Sequence, residues 1–298
     1  MKAHLRRLME VITKVIEYPS KNSKFYIYPL GDLHVGAVHC DEDLLEKKVK
    51  EIRNTPNAYW LGMGDYGDLI TPSDFKRWEG RILAPWMKGH EDNIGPTQLR
   101  RVNSILSPIW GQCLGLLEGN HDDSIRRLNN YNFIEELLIL ANKKASVPYA
   151  GVSCFVALQF RRFASHWKKT ERGTDAHTVI IHARHGEGAA RTSGARALAV
   201  LRLAQTFVNA HITLMGHLHG QEAPDLPERL ILKDGQIKSF DGIATMTGAW
   251  LKAYAQGVPP CYLERWGTPP SQLGCPRIVI EPQIQRMTLE KIRQIRTL

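Results

Sequence analysis

An acidic and an imidazole side chain stand two residues apart in YPLGDLHVG, residues 28–36, a stretch whose apolar start predicts the end of a buried strand. Alternate residues of an extended segment point the same way, so Asp32 and His34 can face one target. Charged and imidazole groups at a strand end rarely serve packing, and joint binding of a metal ion is the chemical alternative. One pair does not decide the matter, and further ligands must come from elsewhere in the chain.

Three later segments repeat this arrangement, each at the end of a predicted strand. GMGDYGD carries Asp65, LLEGNHDD carries Asn120 and His121, and LMGHLHG carries His217 and His219. Loops at the carboxyl ends of strands in an open α/β sheet converge on one crevice. We therefore expect the donors of all four segments to surround a single point.

The donor set mixes carboxylate, imidazole and amide groups and contains no thiolate. Such a set suits a divalent ion such as Mn²⁺, Zn²⁺ or Fe²⁺ rather than Cu(I). It holds more donors than one tetrahedral ion needs. Two ions about 3.5–4 Å apart that share one carboxylate use the set better.

The elements that must position these donors follow from the hydrophobic pattern. Predicted strands cover 24–30 and 57–65, the segment 111–122, in which the strand runs into a turn, and the segments CFVALQF, HTVIIHA, HITLMGH, GIATMTGAW and RIVIEP; predicted helices cover 41–54, 131–145 and 194–208. Asp234-Gly235 between two strand-like runs predicts a hairpin. The alternation of strands and helices predicts one layered α/β domain over residues 1–298, with a helical insert at about 71–110 and a β-rich part at about 221–298.

Composition narrows the class of protein. The 298 residues carry a net charge of +9, which favours a polyanionic partner, nucleic acid first. No apolar run approaches the roughly 18–20 residues that span a bilayer, and the first 20 residues lack the apolar core of a signal peptide. Five cysteines without a CxxC pair resemble reduced thiols. We expect a cytoplasmic protein that does not bind membranes.

Other hydrolytic chemistries lack their sequence signals. The chain has no G-x-S-x-G segment, in which a serine hydrolase would place its nucleophile. It also has no G-x-x-x-x-G-K-[ST] phosphate loop, because GEGAARTSG is only a loose glycine-rich run. The metal hypothesis is therefore the one that the motifs favour.

The blocks GDLH, GDYGD, GNHD and GHLH, in this order, resemble the signature blocks of calcineurin-like metallophosphoesterases. Asp32 and Asp65 are 33 residues apart, Asn120 follows after 55 more and His217 after another 97. The blocks and the segments between them cover residues 25 to about 220. The resemblance implies an α/β fold, a four-layer β-sandwich of two mixed sheets flanked by helices.

The family also has a histidine between its third and last blocks, and VIIHARHGEGAARTSGAR offers His182 and His185. His182 lies within the apolar run, as a core histidine would. His185 stands at the strand exit before Gly186, which leaves room for a metal, and we favour His185 while keeping His182 as the alternative. This run resembles phage and prophage members, which are related to the DNA repair exonuclease branch.

The resemblance implies a ligand set for two divalent ions. Asp65 would bridge the ions; Asp32, His34 and His219 would hold one of them, and Asn120, His185 and His217 the other. Mn²⁺ is the expected ion, with Zn²⁺, Fe²⁺ and Ni²⁺ as alternatives. Asp68 stands where the purple acid phosphatases have a metal-binding tyrosine, so an Fe(III)–tyrosinate site is not expected. Asp68 itself is expected in a turn or a helix cap.

Phosphoester hydrolysis is the reaction that such a centre implies. A hydroxide between two ions is a nucleophile at neutral pH, and His121, which the ligand set does not use, is the expected general acid. Asp122 is expected either to orient the His121 imidazole or to cap the following helix.

The substrate is left open between several classes. A phosphodiesterase or nuclease acting on DNA or RNA is the first hypothesis, a phosphomonoesterase on nucleotides or phosphoproteins the second, and a scaffold without catalysis the third. Arg126, Arg184 and Arg191 lie near the metal blocks in sequence and are candidates for phosphate binding. The basic run QFRRFASHWKKTERG, with interleaved Phe163 and Trp167, is a candidate for backbone binding and base stacking. A homodimer is a further expectation.

Overall fold

The computed structural model describes residues 9–163, 176–227, 229–233, 235–270 and 272–291. The strands are β1 (Glu10–Tyr18), β2 (Phe25–Leu30), β3 (Ala58–Gly62), β4 (Cys113–Leu116), β5 (Ser153–Arg162), β6 (Ala176–Arg184), β7 (Ile212–Met215), β8 (Arg229–Lys233), β9 (Gln236–Phe240), β10 (Ile243–Met246), β11 (Arg277–Glu281) and β12 (Arg286–Glu290). The helices are α1 (Glu42–Asn54), α2 (Ile94–Leu106), α3 (Asn120–Asn129), α4 (Phe133–Asn142), α5 (Ser193–Thr206) and α6 (Tyr262–Arg265).

The strands form two five-stranded sheets and a separate antiparallel pair, β8 and β9. The first sheet has the order β1-β5-β6-β7-β10, in which only β5 and β6 are antiparallel neighbours. The second has the order β12-β11-β2-β3-β4, in which β2, β3 and β4 are parallel. Both sheets are mixed and helices flank them, which confirms the predicted fold class.

Apolar side chains from both sheets fill the space between them. Phe25 and Ile27 of β2 join Phe160 of β5 and Ile181 of β6 in one buried cluster. The rings of Phe25 and Phe160 lie with centroids 4.8 Å apart, a separation at which aromatic pairs attract each other beyond simple burial. Each sheet therefore turns one face toward the other.

The outer faces of the sheets are covered by helices. Side chains of α1, α2 and α4 pack with residues of β2 and β3 in a second cluster, where Trp60 lies 5.4 Å from Trp110. Val200 and Ala204 of α5 pack on Met246 of the first sheet. The result is four layers, helix, sheet, sheet and helix, as expected for two sheets that each have two apolar faces.

Two regions depart from the elements that the sequence predicts. Strand β1 was not predicted, since only Ile16 and Tyr18 of its side chains are buried and the apolar pattern is weak. The 71–110 insert contains a single α-helix, α2, preceded by three short 3-10 turns at Gly80–Ile82, Pro85–Met87 and Glu91–Asn93. The structure does not test the predicted division of the chain, which stays a prediction.

The strand directions bring the chemically interesting loops to one edge. Strands β2, β3 and β4 run parallel in the second sheet, and β6, β7 and β10 run parallel in the first. The loops after β2, β3, β4, β6 and β7 therefore leave the sandwich at neighbouring points.

Among the described residues, none of the helices combines the length and the apolar character that crossing a membrane requires.

Candidate metal centre

The backbone is strained at five of the predicted ligands. Their φ angles lie in the left-handed region, at +49° for Asp32, +50° for His34, +54° for Asp65, +69° for His217 and +52° for His219. Such a conformation costs of the order of 1–3 kcal/mol for a residue other than glycine and survives only where the surroundings enforce it. Five such residues in one place indicate that the surrounding structure holds these side chains in a fixed orientation.

Hydrogen bonds between the loops enforce this conformation. The amide groups of Asp32 and Leu33, after β2, donate to the carbonyl oxygens of Gly64 and Asp65, after β3, at 2.9 Å each. The amide of His217, after β7, donates to both carboxylate oxygens of Asp32, at 3.1 and 2.9 Å. Three strand ends are thereby joined to one another.

Asp32, His34 and His219 form a first cluster of buried side chains. His34 Nε2 lies 3.2 Å from His219 Nε2, which in turn lies 3.5 Å from Asp32 Oδ1. On the other side of the His34 ring, Nδ1 faces Asp68 Oδ1 at 3.3 Å. A proton on Nδ1 is stabilised by that carboxylate, so the Nε2 lone pair is directed into the cluster, as in carboxylate–histidine–metal arrangements.

Asp65, His185 and His217 form a second cluster, which Asn120 completes. His185 Nε2 lies 3.3 Å from Asp65 Oδ2 and 3.0 Å from Asn120 Oδ1. His217 Nδ1 lies 2.7 Å from the same Asn120 oxygen. All seven predicted ligands therefore meet at one edge of the sandwich, although their role as ligands stays a prediction.

The second cluster consists of electron-pair donors. A proton on His185 Nδ1 would be accepted by the carbonyl oxygen of Met63, 2.7 Å away, and with a metal ion in place of the second proton Nε2 would offer a lone pair. A proton on His217 Nε2 would be accepted by the carbonyl oxygen of Gly188, 3.0 Å away, and would leave a lone pair on Nδ1. Two imidazole lone pairs would then meet an amide oxygen and a carboxylate oxygen. A cation fits such a set, and no donor proton is needed to satisfy it.

The charges around His185 lead to the same conclusion. Burial alone would lower the pKa of His185, but the carboxylates of Asp65 and Asp32 outweigh it and raise the pKa to about 10. Burial and the nearby Asp65 raise the pKa of Asp32 to about 7, against the attraction of His185. The buried acids thus require a neighbouring positive charge, which a proton or a metal ion can supply.

Asp65 lies between the two clusters. Its Oδ2 is 3.3 Å from His185 Nε2 and 3.9 Å from His34 Nε2, while its Oδ1 accepts the backbone N–H of His121 at 2.8 Å. Burial would raise the pKa of the Asp65 carboxyl, but His185 and its other imidazole neighbours hold that pKa well below its usual range. One ionised carboxylate therefore faces both groups of ligands.

Gly119 leaves the room that the Asp65 side chain and backbone occupy. A Cβ atom added at Gly119 would lie 2.1 Å from Asp65 Oδ1 and 2.3 Å from the Asp65 amide nitrogen. Both distances are far below van der Waals contact, so no larger residue fits without moving the carboxylate or its backbone. The glycine of GNHD is required here for the close approach of two loops.

His121 is buried between the first cluster and the 71–110 insert. Its ring lies 4.6 Å from that of His34, its Nδ1 donates to the carbonyl oxygen of Asp68, and Arg77 Nη1 lies 3.2 Å from Nε2. Burial, reinforced by the positive charges of His34 and Arg77, lowers the pKa of His121 to about 4 despite Asp65 and Asp68. The imidazole is therefore neutral at pH 7 in this arrangement, with Nε2 on the open side.

Asp122 does not orient His121, which corrects one of the two expectations for it. Its Oδ2 accepts the backbone N–H groups of Gly119 at 2.8 Å and of Asp65 at 2.9 Å. Burial and then Asp65 raise the pKa of Asp122 to about 7. The carboxylate belongs to the capping of α3, from the third helical position, and it ties that helix to the loop of Asp65. The carbonyl of Asp68 orients His121 instead.

His182 is remote from both clusters. Its Nε2 lies 3.1 Å from Ser153 Oγ, and its ring contacts the rings of Phe155 and Phe207 at 5.0 and 4.5 Å. Burial and then Arg184 lower its pKa to about 4. His182 is a core histidine, and His185 is the residue that lies with the other predicted ligands.

The three candidate arginines have different surroundings. Arg126 pairs with Glu118 and Asp123, and Arg184 pairs with Glu187 at 2.9 Å, so carboxylates already engage both. Of these three, only Arg191 lines the cleft described below, and phosphate binding by any of them stays a prediction. The basic run 159–173 lies mostly outside the described residues, which end at Phe163 and resume at residue 176.

A cleft of about 670 Å³, which includes open solvent, leads from the clusters to the surface. Its lining includes Arg77, His121, Gly188 and Arg191. It also includes Tyr262 and Trp266, with Leu263 between them in sequence, and these three residues are called the aromatic wall. The Tyr262 hydroxyl lies 3.3 Å from His219 Nε2, so the wall begins at the first cluster.

Sequence reasoning missed four residues of this site: Asp68, Arg77, Tyr262 and Trp266. The spacing of Asp68, three residues after Asp65 in GDYGD, was a usable signal for a residue of the same loop. The other three come from segments far from any of the four blocks, and no local pattern marks them.

Comparison with known proteins does not by itself assign a function to the chain. No sequence profile of a known family matches the chain, and no curated protein matches it. A solved structure from Streptococcus pneumoniae TIGR4, a conserved uncharacterized protein described as a predicted phosphoesterase, matches over 87% of this chain and 84% of its own. With 14% identity and a TM-score of 0.31, this likeness carries no argument about function. The function must be argued from the site.

Proposed function

We propose that the chain is a phosphoesterase that depends on two divalent metal ions. The observation that carries this proposal is the position of Asp65, whose Oδ2 lies within 4 Å of an imidazole nitrogen of each cluster, 3.3 Å from His185 Nε2 and 3.9 Å from His34 Nε2. A single carboxylate shared by two sets of nitrogen and oxygen ligands is the pattern of a two-metal hydrolytic site.

Each cluster would hold one ion. Asp32, His34 and His219 fit the first ion, Asn120, His185 and His217 fit the second, and Asp65 is placed to contact both. Ions held there would lower the pKa of bound water and neutralise charge on a phosphoryl group. The mixed nitrogen and oxygen set favours Mn²⁺, Zn²⁺ or Fe²⁺ over softer ions.

The protein's own groups supply the remaining functions. His121 places Nε2 on the cleft beside the first cluster; because Nε2 is unprotonated in this arrangement, it must first take up a proton from solvent and can then give it to the leaving oxygen of an ester. Arg77 Nη1, 3.2 Å from that nitrogen, can bind a phosphoryl oxygen through its planar guanidinium. The Asp68 carbonyl holds the His121 ring in place through Nδ1.

The substrate class that we propose is a phosphodiester of DNA or RNA. Support comes from the net charge of +9 and from Arg77 and Arg191 on the sides of the cleft, which favour a polyanion. Binding to a polyanion through such charges falls with salt, which gives the proposal a measurable signature.

The test uses the purified full chain with Mn²⁺. Hydrolysis of bis-p-nitrophenyl phosphate, p-nitrophenyl phosphate and end-labelled single- and double-stranded DNA is measured beside the same protein treated with EDTA. We expect turnover of the diester and of DNA that EDTA abolishes. Turnover of the monoester alone, without salt-sensitive DNA binding, would favour a phosphomonoesterase. Absence of turnover together with absence of bound metal would refute the enzyme proposal.

A further inference from the structure

The aromatic wall carries an inference that rests on the proposed function and extends it to the substrate's base. Trp266 is 50% exposed, although it is a large apolar side chain on the side of a cleft. Its ring stands edge-on to that of Tyr262, at 5.4 Å and 68°, and Tyr262 stands 6.1 Å from the ring of His219. The open surface of Trp266 therefore lies one ring further from the metal clusters than Tyr262.

The order of the metal clusters, Tyr262 and Trp266 along the cleft follows the order of phosphate, sugar and base in a nucleotide. A phosphate bound at the clusters would carry its sugar past Tyr262 and bring its base to the level of Trp266. Stacking on an aromatic ring is the usual way in which proteins hold an unpaired base, and it is tolerant of sequence because every base has a π face. Arg191 stands elsewhere on the cleft lining, where it can meet the backbone of the same chain.

Hydrogen bonds and an ion pair hold the chain on both sides of the aromatic wall. His39 Nε2 donates to the carbonyl of Pro259 at 2.6 Å, and the Tyr254 hydroxyl donates to the carbonyl of Thr268 at 3.0 Å. Arg265, next to Trp266, pairs with Glu79 of the 71–110 insert. A platform held in this way loses little freedom on binding, which favours affinity.

We propose that Trp266 is the stacking platform for one unpaired nucleobase of a single-stranded nucleic acid whose phosphodiester lies at the metal clusters. A duplex does not offer such a base unless a pair is opened, and opening a pair costs free energy. The proposal therefore commits to single strands over duplexes. In this proposal the base is held in the cleft, at Trp266, and not by the basic run 159–173.

Binding is the primary test, because it does not require turnover. Fluorescence anisotropy compares a labelled oligothymidylate with an oligomer of abasic residues that has the same length and the same number of phosphates, both with phosphorothioate linkages that resist hydrolysis, at low salt with Mn²⁺. The native chain is expected to prefer the base-bearing oligomer. Trp266→Ala should reduce that preference about tenfold, the usual effect of removing one stacking ring, and Trp266→Phe should retain most of it.

Phe75→Ala is the matched control, since Phe75 is an aromatic residue that is 81% exposed and does not line the cleft. It should leave the preference unchanged. The inference is overturned if the native chain shows no preference for the base-bearing oligomer, if Trp266→Ala keeps the full preference, or if a duplex binds as tightly as the single strand. A melting curve for each variant shows that the fold is intact.

A hydrolysis assay then separates this inference from the proposed function. Two esters with the same leaving group are compared, the p-nitrophenyl ester of thymidine 5′-phosphate and methyl p-nitrophenyl phosphate. Trp266→Ala should lower the ratio of their kcat/KM values about tenfold. If the native chain hydrolyses neither ester with Mn²⁺ but shows the binding preference, the phosphoesterase proposal fails and the base site stands. Equal losses on both esters would assign Trp266 a merely structural role.

Discussion

Arg77 lies against the imidazole of His121, with Nη1 3.2 Å from Nε2, and the same guanidinium donates to Ser124 Oγ at 2.8 Å and to Asp74 Oδ2 at 2.7 Å. The insert that carries Arg77 thus reaches the first helix turn after GNHD. A guanidinium held at three points beside an expected proton donor is well placed to receive a phosphoryl oxygen.

Replacing Arg77 by Ala should therefore lower kcat/KM for bis-p-nitrophenyl phosphate by about ten- to a hundredfold, the range for a lost charged hydrogen bond. Arg77→Lys should recover little, because an ammonium group does not reproduce the planar fork. Arg81→Ala is the control, since Arg81 pairs with Glu79 and lies outside the cleft lining. Equal kcat/KM values for Arg77→Ala and the native chain would remove Arg77 from the reaction.

Replacing His121 by Asn should affect substrates according to their leaving groups. An alkoxide leaving group needs a proton, and general acid catalysis contributes about 10²–10⁴-fold. A nitrophenolate leaves without such help. Hydrolysis of an alkyl diester should therefore fall far more than that of bis-p-nitrophenyl phosphate, as measured by kcat/KM for both. Equal loss on the two substrates would show that His121 is not the acid.

Replacing Asp65 by Asn should reduce metal binding with little change in side-chain volume. The variant loses the charge that faces His185 and His34. Metal analysis after Mn²⁺ incubation and gel filtration should find clearly less metal than in the native chain. Mn²⁺ at a hundred times its Kd should also stabilise the native fold by about 2.7 kcal/mol for each site that it fills, and the resulting rise in Tm should shrink in the variant.

Asp123→Asn is the matched control for the metal experiment. Asp123 is an aspartate of the same region whose partners are Arg126 and Arg127 rather than the clusters. It should bind metal as the native chain does. Native metal content in Asp65→Asn would contradict the bridging position, even if activity were lost.

The sequence predicts where the site lies because its ligands follow directly after buried strands. Asp32, Asp65 and His217 each end a strand whose apolar run is easy to recognise, and parallel strands carry their ends to one edge. The alternation of strands and helices predicts a layered α/β domain, whereas the two mixed sheets are expected only from the resemblance of the four blocks to a known family. These are local signals, and the structure contains the contacts that they imply.

The remaining contacts of the site depend on long-range packing. Arg77 meets His121 across 44 residues, and Tyr262 meets His219 across 43. The local sequence around Arg77 or Tyr262 does not predict which residue it contacts. Which residue orients the His121 imidazole also depends on geometry. The start of α3 turns the Asp122 carboxylate toward backbone amides and away from the imidazole that precedes it, so the Asp68 carbonyl takes this role.

His182 supplies a prediction about stability that is independent of metal. Burial and then Arg184 lower its pKa from 6.5 to about 4 in the folded chain. Between these two values the unfolded chain binds a proton that the folded chain does not, so the free energy of unfolding falls as the pH falls from 6.5 to 4. With a discount for solvent screening, the loss by pH 5 should be about 1 kcal/mol.

Replacing His182 by Phe should remove this part of the acid sensitivity, because the new ring can keep the contacts with Phe155 and Phe207 and does not titrate. Urea unfolding at pH 7 and pH 5, both with EDTA, measures the difference for each protein. Exchange of the exposed His90 for Gln should leave the native difference unchanged. If His182→Phe loses as much stability on acidification as the native chain does, the buried imidazole is not the group that senses acid.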